Sequence, residues 1–316
     1  GSGLTWQIVA GRLSGLDRGQ LPANAECITA AIDLGKYLCH WVVIAWWKGA
    51  GGCIIDYGRA EVAGTDRAMD NEASEPMIYR ALLQWRDEIL AKQYVDAAGS
   101  SRKVDAAFID SGTFTDAAYQ FVRDVHGAPF YCSKGIGKYR DKTTETDKIK
   151  PGNHFHAAYQ EAQHLWLYEM DTDYWKQFIH ERFLTPTFDE QNFLRRGALS
   201  LFVQPNDRKH TSFAQHIAAE ELVSEFKEGK GVKTSWNKIS ENNHFLDATY
   251  MAAAAASARG IYLLSPTAEH PNGHAVSPRA KAEHEQKKTP TGKPAGQRHG
   301  APKRRPGGWV QSLRKR

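Results

Sequence analysis

Cysteine is scarce. The four in 316 residues, Cys27, Cys39, Cys53 and Cys132, lie 12, 14 and 79 residues apart with no CxxC pair. That spacing encodes neither a zinc ribbon nor a disulfide framework and fits a reducing compartment. Long apolar runs are also missing. The longest, around Val42–Trp47 and Met251–Ala256, fall far short of the ~20 residues that span a bilayer, so no membrane partner is expected. No phosphate-binding P-loop is present either: Gly-Lys pairs such as Gly35-Lys36, Gly137-Lys138 and Gly229-Lys230 never fit GxxxxGK[ST] after a strand. ATP hydrolysis by this chain is therefore not expected. Ser111, in Asp110-Ser111-Gly112, lacks the GxSxG setting of a nucleophilic serine. No leader opens the chain: Gly1-Ser2-Gly3 reads as a cloning remnant, and Leu4-Thr5-Trp6 as a cut inside a longer protein.

What is present is a core and an uneven charge. Apolar residues make up 41% of the chain and aromatics 11%, enough for a substantial hydrophobic interior. The net charge of +5 conceals a division. Residues 266–316 hold twelve Lys and Arg against three acids, leaving the remaining 265 residues at −4. With seven prolines, six glycines and no apolar periodicity before Gly308, 266–316 reads as a basic disordered tail. Arg304 and Arg305 within it are candidate phosphate contacts.

Residues 1–25, with a helical piece and the turn Leu21-Pro22-Ala23-Asn24, read as a linker into a domain over 26–265. Strands are predicted at Ile28–Leu34, Leu38–Trp47 and Cys53–Tyr57, the last two joined at Gly49-Ala50-Gly51-Gly52. A helix after Ser74, a strand at Val104–Asp110, a helix over Thr115–Val125 and a strand at Phe130–Cys132 follow. Residues 153–203 read as an insertion, and Thr211–Lys227 and Asn243–Gly260 as closing helices. Three meander strands followed by β-α units predict an α/β fold: a ribonuclease H-like mixed sheet with helices on both faces.

Three carboxylates stand out against this frame. Asp33 ends the first strand, Asp110 ends the strand after the first helix, and Asp247 opens the alanine-rich last helix. Open α/β sheets place their sites at carboxyl strand ends, where the three acids would converge. Converging carboxylates repel unless hard divalent cations such as Mg²⁺ or Mn²⁺ hold them together. Two such ions ~3.5–4 Å apart activate a water and stabilise the leaving oxygen in phosphodiester hydrolysis. His244 and Asp56 are candidate supporting groups; Lys134, Lys138, Lys230 and Lys233 lie in glycine-punctuated stretches suited to phosphate contacts. His154-x-His156 and His216-x-x-x-Glu220 have metal-compatible spacing but no evident third ligand.

Over residues 21–260 the sequence resembles the nuclease domain of tailed-phage terminase large subunits, the lambda-type packaging motors. The resemblance is carried by Leu21-Pro22 with Ile28–Gly35, Phe108-Ile109-Asp110-Ser111-Gly112, Lys134-Gly135, and Trp236 leading to Asn243-His244-Phe245-Leu246-Asp247-Ala248. It implies a metal-dependent endonuclease cutting concatemeric double-stranded DNA when packaging starts and ends, in the host cytoplasm of an infected cell. Asp33, Asp110 and Asp247 would be its metal-binding acids. The small terminase subunit and the portal would be partners, and an ATPase domain would precede the nuclease. A ribonuclease H-like resolvase or transposase, and a catalytically silent DNA- or portal-docking module, are the competing readings. An actin-like or sugar-kinase domain would need a second phosphate-binding Asp-Gly loop and a duplicated core, which the sequence lacks.

Overall fold

The strand Leu38–Trp47, β4, shows how this sequence builds its core. Its run Leu-Cys-His-Trp-Val-Val-Ile-Ala-Trp-Trp has no polar residue but His40, as expected of a strand covered on both faces. Alternate side chains divide between two cores: Val42, Ile44 and Trp46 enter one, and Trp41, Val43, Ala45 and Trp47 the other. The computed structural model describes residues 3–65, 68, 70–137, 149, 154–205, 210–227 and 231–261, all within a unit spanning 1–266.

In chain order the elements are α1 (Trp6–Ala10), β1 (Leu13–Asp17), β2 (Gln20–Leu21), β3 (Cys27–Asp33), β4 (Leu38–Trp47) and β5 (Gly51–Glu61). Then come α2 (Glu75–Trp85), β6 (Tyr94–Asp96), β7 (Ser101–Arg102), β8 (Ala106–Asp110), α3 (Thr115–Asp124) and β9 (Phe130–Ile136). The remainder is β10 (Phe155–Gln160), β11 (Leu165–Asp171), α4 (Thr172–Leu184), β12 (Leu199–Val203), α5 (Thr211–Ile217), β13 (Glu220–Lys227), β14 (Gly231–Lys238) and α6 (His244–Ala258).

Nine strands form one mixed sheet in the order β1-β12-β5-β4-β3-β8-β9-β11-β10. At its centre β5, β4 and β3 are antiparallel neighbours, and β8 and β9 continue parallel to β3. This is the ribonuclease H-like arrangement. The β4–β5 turn is possible because Gly49 takes φ +85°, a conformation strained for any residue with a Cβ. Helices α2 and α3 cover one face, while α1, α4, α5 and α6 cover the other.

Helix α6 matters most for the site. Its run of buried alanines, Ala252–Ala256, lets its backbone approach the sheet closely. The buried Thr29 hydroxyl of β3 donates to the Ala252 carbonyl at 2.7 Å and accepts from the Trp46 indole at 2.8 Å. One hydroxyl thus ties helix, strand and core together, leaving neither its own polar atoms nor the indole unsatisfied.

Two expectations change, and a third segment gains detail. Residues 1–25 contain α1 and β1, which belong to the fold: Val9 is fully buried, and β1 pairs in parallel with β12 at Leu13↔Leu201. The closing helix predicted over Thr211–Lys227 stops at Ile217, and Glu220–Lys227 pairs instead with Gly231–Lys238 as a β-hairpin. Residues 153–203 extend both sides of the sheet, β10 and β11 beyond β9 and β12 between β5 and β1.

Candidate metal centre

The register of the central strands sets the first two acids. Parallel pairing of β3 with β8 places Ile32 opposite Ile109, so Asp33 and Asp110 emerge side by side at the carboxyl ends. Asp247 follows from α6: Asn243 stands at the N-cap position, and Asp247 occupies the first turn, where the positive end of the helix dipole favours a carboxylate. The sheet and the close-packed helix therefore bring the three predicted acids to one edge.

Burial and neighbouring charges set how the three carboxyls titrate. Burial and the charge of Asp33 push Asp110 up to about 7, against backbone hydrogen bonds from Gly112, Ser111 and Leu34 that pull it down. Asp247 is raised by burial and then by Asp33, with Lys176 opposing, and with further contributions from Glu220 and Asp110. Asp33 is raised by burial, and its hydrogen bond with His244 counters this. Burial and the same three aspartates, with Glu220, also raise the Tyr250 phenol well above its usual range. Such a set is unfavourable when ionised without positive charge among the oxygens, and hard divalent cations match an all-oxygen donor set.

Imidazoles flank the acids. His244 Nδ1 lies 2.8 Å from Asp33 Oδ2, and its ring stacks on His40 with centroids 4.6 Å apart at 10°. His216 completes the cluster 5.2 Å from His40. Burial holds His40 down at about 3 and His216 at about 4, with the neighbouring His244 the next cause. Both rings are therefore neutral near pH 7. Beside them opens a cleft of about 830 Å³, lined by Gly35, Lys36, His40, Arg59, His216 and His244 among others.

A second layer holds α6 in place. Glu220, at the start of β13, accepts from Lys176 at 2.7 and 2.8 Å and from Asn243 Nδ2 at 2.7 Å. The residue before His244 is thereby fixed by a buried carboxylate.

A family model for the endonuclease domain of the terminase large subunit gpA matches residues 1–267. The chain belongs to that family. Among solved structures, this terminase nuclease domain is similar to a mutant nuclease domain of the large terminase subunit gp2 of bacterial virus Sf6 with manganese. That likeness has 9% identity, covers 72% of this chain and 88% of the other, and has a TM-score of 0.39. No curated protein matches the chain.

Several candidates of the terminase domain fall elsewhere. Asp56 is not near the acids: it is 1% exposed and paired with Arg18 at 2.6 Å and Lys92 at 2.7 Å, a structural ion triad. His216 and Glu220 hold different partners, since His216 Nδ1 accepts from the Phe245 amide and Glu220 binds Lys176 and Asn243. His154 stacks on Tyr174. The Ser111 hydroxyl donates to the Ser133 carbonyl. Lys134 is exposed one residue beyond the partner of Asp110 on β9, while a Cβ at neighbouring Gly135 would meet Thr172 at 2.5 Å and the Tyr250 hydroxyl at 3.0 Å. Close packing therefore requires glycine there. Lys233 lies within β14; Lys138, Lys230, Arg304 and Arg305 lie outside the described residues.

His40 and Tyr250 had no functional reading in the sequence, and Glu220 had one only as a metal-compatible partner of His216. Tyr250, three residues after Asp247, was visible only as helical spacing, and His40 only as an unexplained polar residue in an apolar strand.

Proposed function

We propose that this terminase nuclease domain is a divalent-metal-dependent endonuclease that cleaves concatemeric double-stranded viral DNA at the start and end of packaging. The observation that carries the reading is the placement of Asp33 and Asp110 at the paired carboxyl ends of β3 and β8 with Asp247 in the first turn of α6, close enough that the charge of Asp33 raises both other carboxyls. These side chains would hold two Mg²⁺ or Mn²⁺ ions. Bound there, such ions supply charge neutralisation, water activation and stabilisation of the leaving oxygen.

The chain's own groups do the rest. His244 fixes the orientation of Asp33 through its hydrogen bond. The Glu220–Lys176–Asn243 cluster fixes the helix start that carries His244 and Asp247. Lys36 and Arg59, both lining the cleft, give cationic positions for the DNA backbone, which they would grip without reading bases. Lys134, in β9 one residue beyond the partner of Asp110, would do the same on the other side of Asp110. The setting is the infected host cell, with an upstream ATPase domain, the small terminase subunit and the portal as partners.

The test is nicking and linearisation of supercoiled plasmid with Mg²⁺, Mn²⁺, Ca²⁺ or chelator. Cleavage should require Mg²⁺ or Mn²⁺ and fall by at least about 100-fold in Asp33→Asn and Asp247→Asn. Cleavage that survives chelator, or either substitution in a folded protein, rejects the assignment.

A further inference from the structure

His40 is a buried polar group that the proposed reaction does not use. It is 5% exposed, and its Nδ1 has no hydrogen-bond partner among the described residues. Antiparallel pairing of β3 with β4 puts it directly opposite Asp33. Its ring lies flat against that of His244, whose Nδ1 already touches Asp33 Oδ2 at 2.8 Å. Asp33, His40 and His244 each offer one ligand atom, and these atoms lie within 4.8 Å of one another.

We propose that Asp33, His40 and His244 form a mixed nitrogen–oxygen site for a borderline transition-metal ion of the Zn²⁺ or Co²⁺ class. Two imidazoles and one carboxylate select such ions, whereas Mg²⁺ favours oxygen donors. The site differs in chemistry from the all-carboxylate group and shares only Asp33 with it. An ion here would take the place of the proton held between His244 and Asp33, which would leave to solvent, and would give the unpartnered His40 Nδ1 a ligand bond. Three protein ligands leave coordination positions open, as in catalytic zinc sites, and the cleft beside His40 and His244 provides room for them. His216, with its ring 5.9 Å from that of His244, stands ready as an outer partner. The consequence is that borderline ions and Mg²⁺ compete for one aspartate.

The inference stands on the placement of these three side chains and does not need the nuclease reading. Its test uses the full chain, stripped with chelator and titrated with Co²⁺, reading the visible absorption of nitrogen-ligated cobalt. One equivalent per chain should saturate the band. His40→Phe, which keeps a stacked ring, and His244→Asn should each weaken Co²⁺ binding by at least about tenfold with unchanged far-ultraviolet circular dichroism. Asp110→Asn should leave the band in place. Should His40→Phe fail to fold, imidazole ¹⁵N resonances of the wild-type chain give the answer, because those of His40 and His244 must shift on adding Zn²⁺. No cobalt band, a band unaltered in folded His40→Phe, a band lost in folded Asp110→Asn, or unmoved imidazole resonances overturns the site. Absence of plasmid cleavage alongside an intact cobalt band would strike the nuclease reading alone.

Discussion

Asp110 illustrates what the acid cluster costs the metal-free protein. Its carboxyl ordinarily titrates near 3.8 but is pushed up to about 7 by burial and by Asp33. Between those values the folded state binds a proton that the unfolded state has lost, so this contribution to stability falls as pH rises and is fully lost above about 7. Asp110→Asn should therefore stabilise the chelated protein by about 4 kcal/mol at pH 8 and hardly at all at pH 4. Thermal melts across pH in chelator check this, and equal shifts at both pH values would contradict it. Adding Mn²⁺ should reverse the order, stabilising the native chain more than the variant. A charge ending an apolar strand made Asp33 and Asp110 legible in the sequence. His40 was not, because its role depends on β3–β4 register, which no local pattern encodes. Asp56 was misleading for the related reason that its partners, Arg18 and Lys92, come from distant segments.

At the scale of elements, the junction of α4, β13 and α6 decides whether Asp247 is presented correctly. Glu220 has a side chain only 7% exposed, and Lys176 is its one cationic partner among the described residues. Removing one member of a buried pair leaves an uncompensated charge, so Lys176→Met should cost about 3 kcal/mol in urea unfolding. The double variant Lys176→Met/Glu220→Gln should regain more than half of that loss, since the neutral amide keeps a hydrogen bond to Asn243 without the stranded charge. A double variant no better than the single one would place the cost in the missing packing of the lysine stem. The hairpin that supplies Glu220 was the element least legible in the sequence. Leu222 and Phe226 of β13 are exposed, so its apolar residues do not mark a buried face by a clean two-residue alternation. The apolar spacing of Phe213, Ala214 and Ile217 could then be extended past its true end. By contrast, β4 and α6 bury nearly every residue and announced themselves by composition.

Across the whole molecule, the legible part is the part whose neighbours in space are neighbours in sequence. Strands β3, β4 and β5 form a consecutive meander, and β8 and β9 are added in order, so the central five could be anticipated from order alone. The β1–β12 pair joins Leu13 to Leu201, a pairing no local signal announces. Charge is distributed on the same large scale. The sequence up to residue 265 carries −4 and the cluster of Asp33, Asp110 and Asp247, which together repel a phosphate backbone, while residues 266–316 hold twelve Lys and Arg against three acids. Attraction for DNA must then come largely from those basic residues, through release of condensed counterions. Removing residues 266–316 should weaken binding to a non-specific duplex and flatten the dependence of log K on log salt by about 0.9 for each phosphate that the shortened chain no longer neutralises. Fluorescence anisotropy over a salt series measures both quantities. An unchanged slope would move the attraction to Lys36, Arg59 and Lys134 at the cleft and the strand ends, where neutralising each in turn would have to flatten it instead.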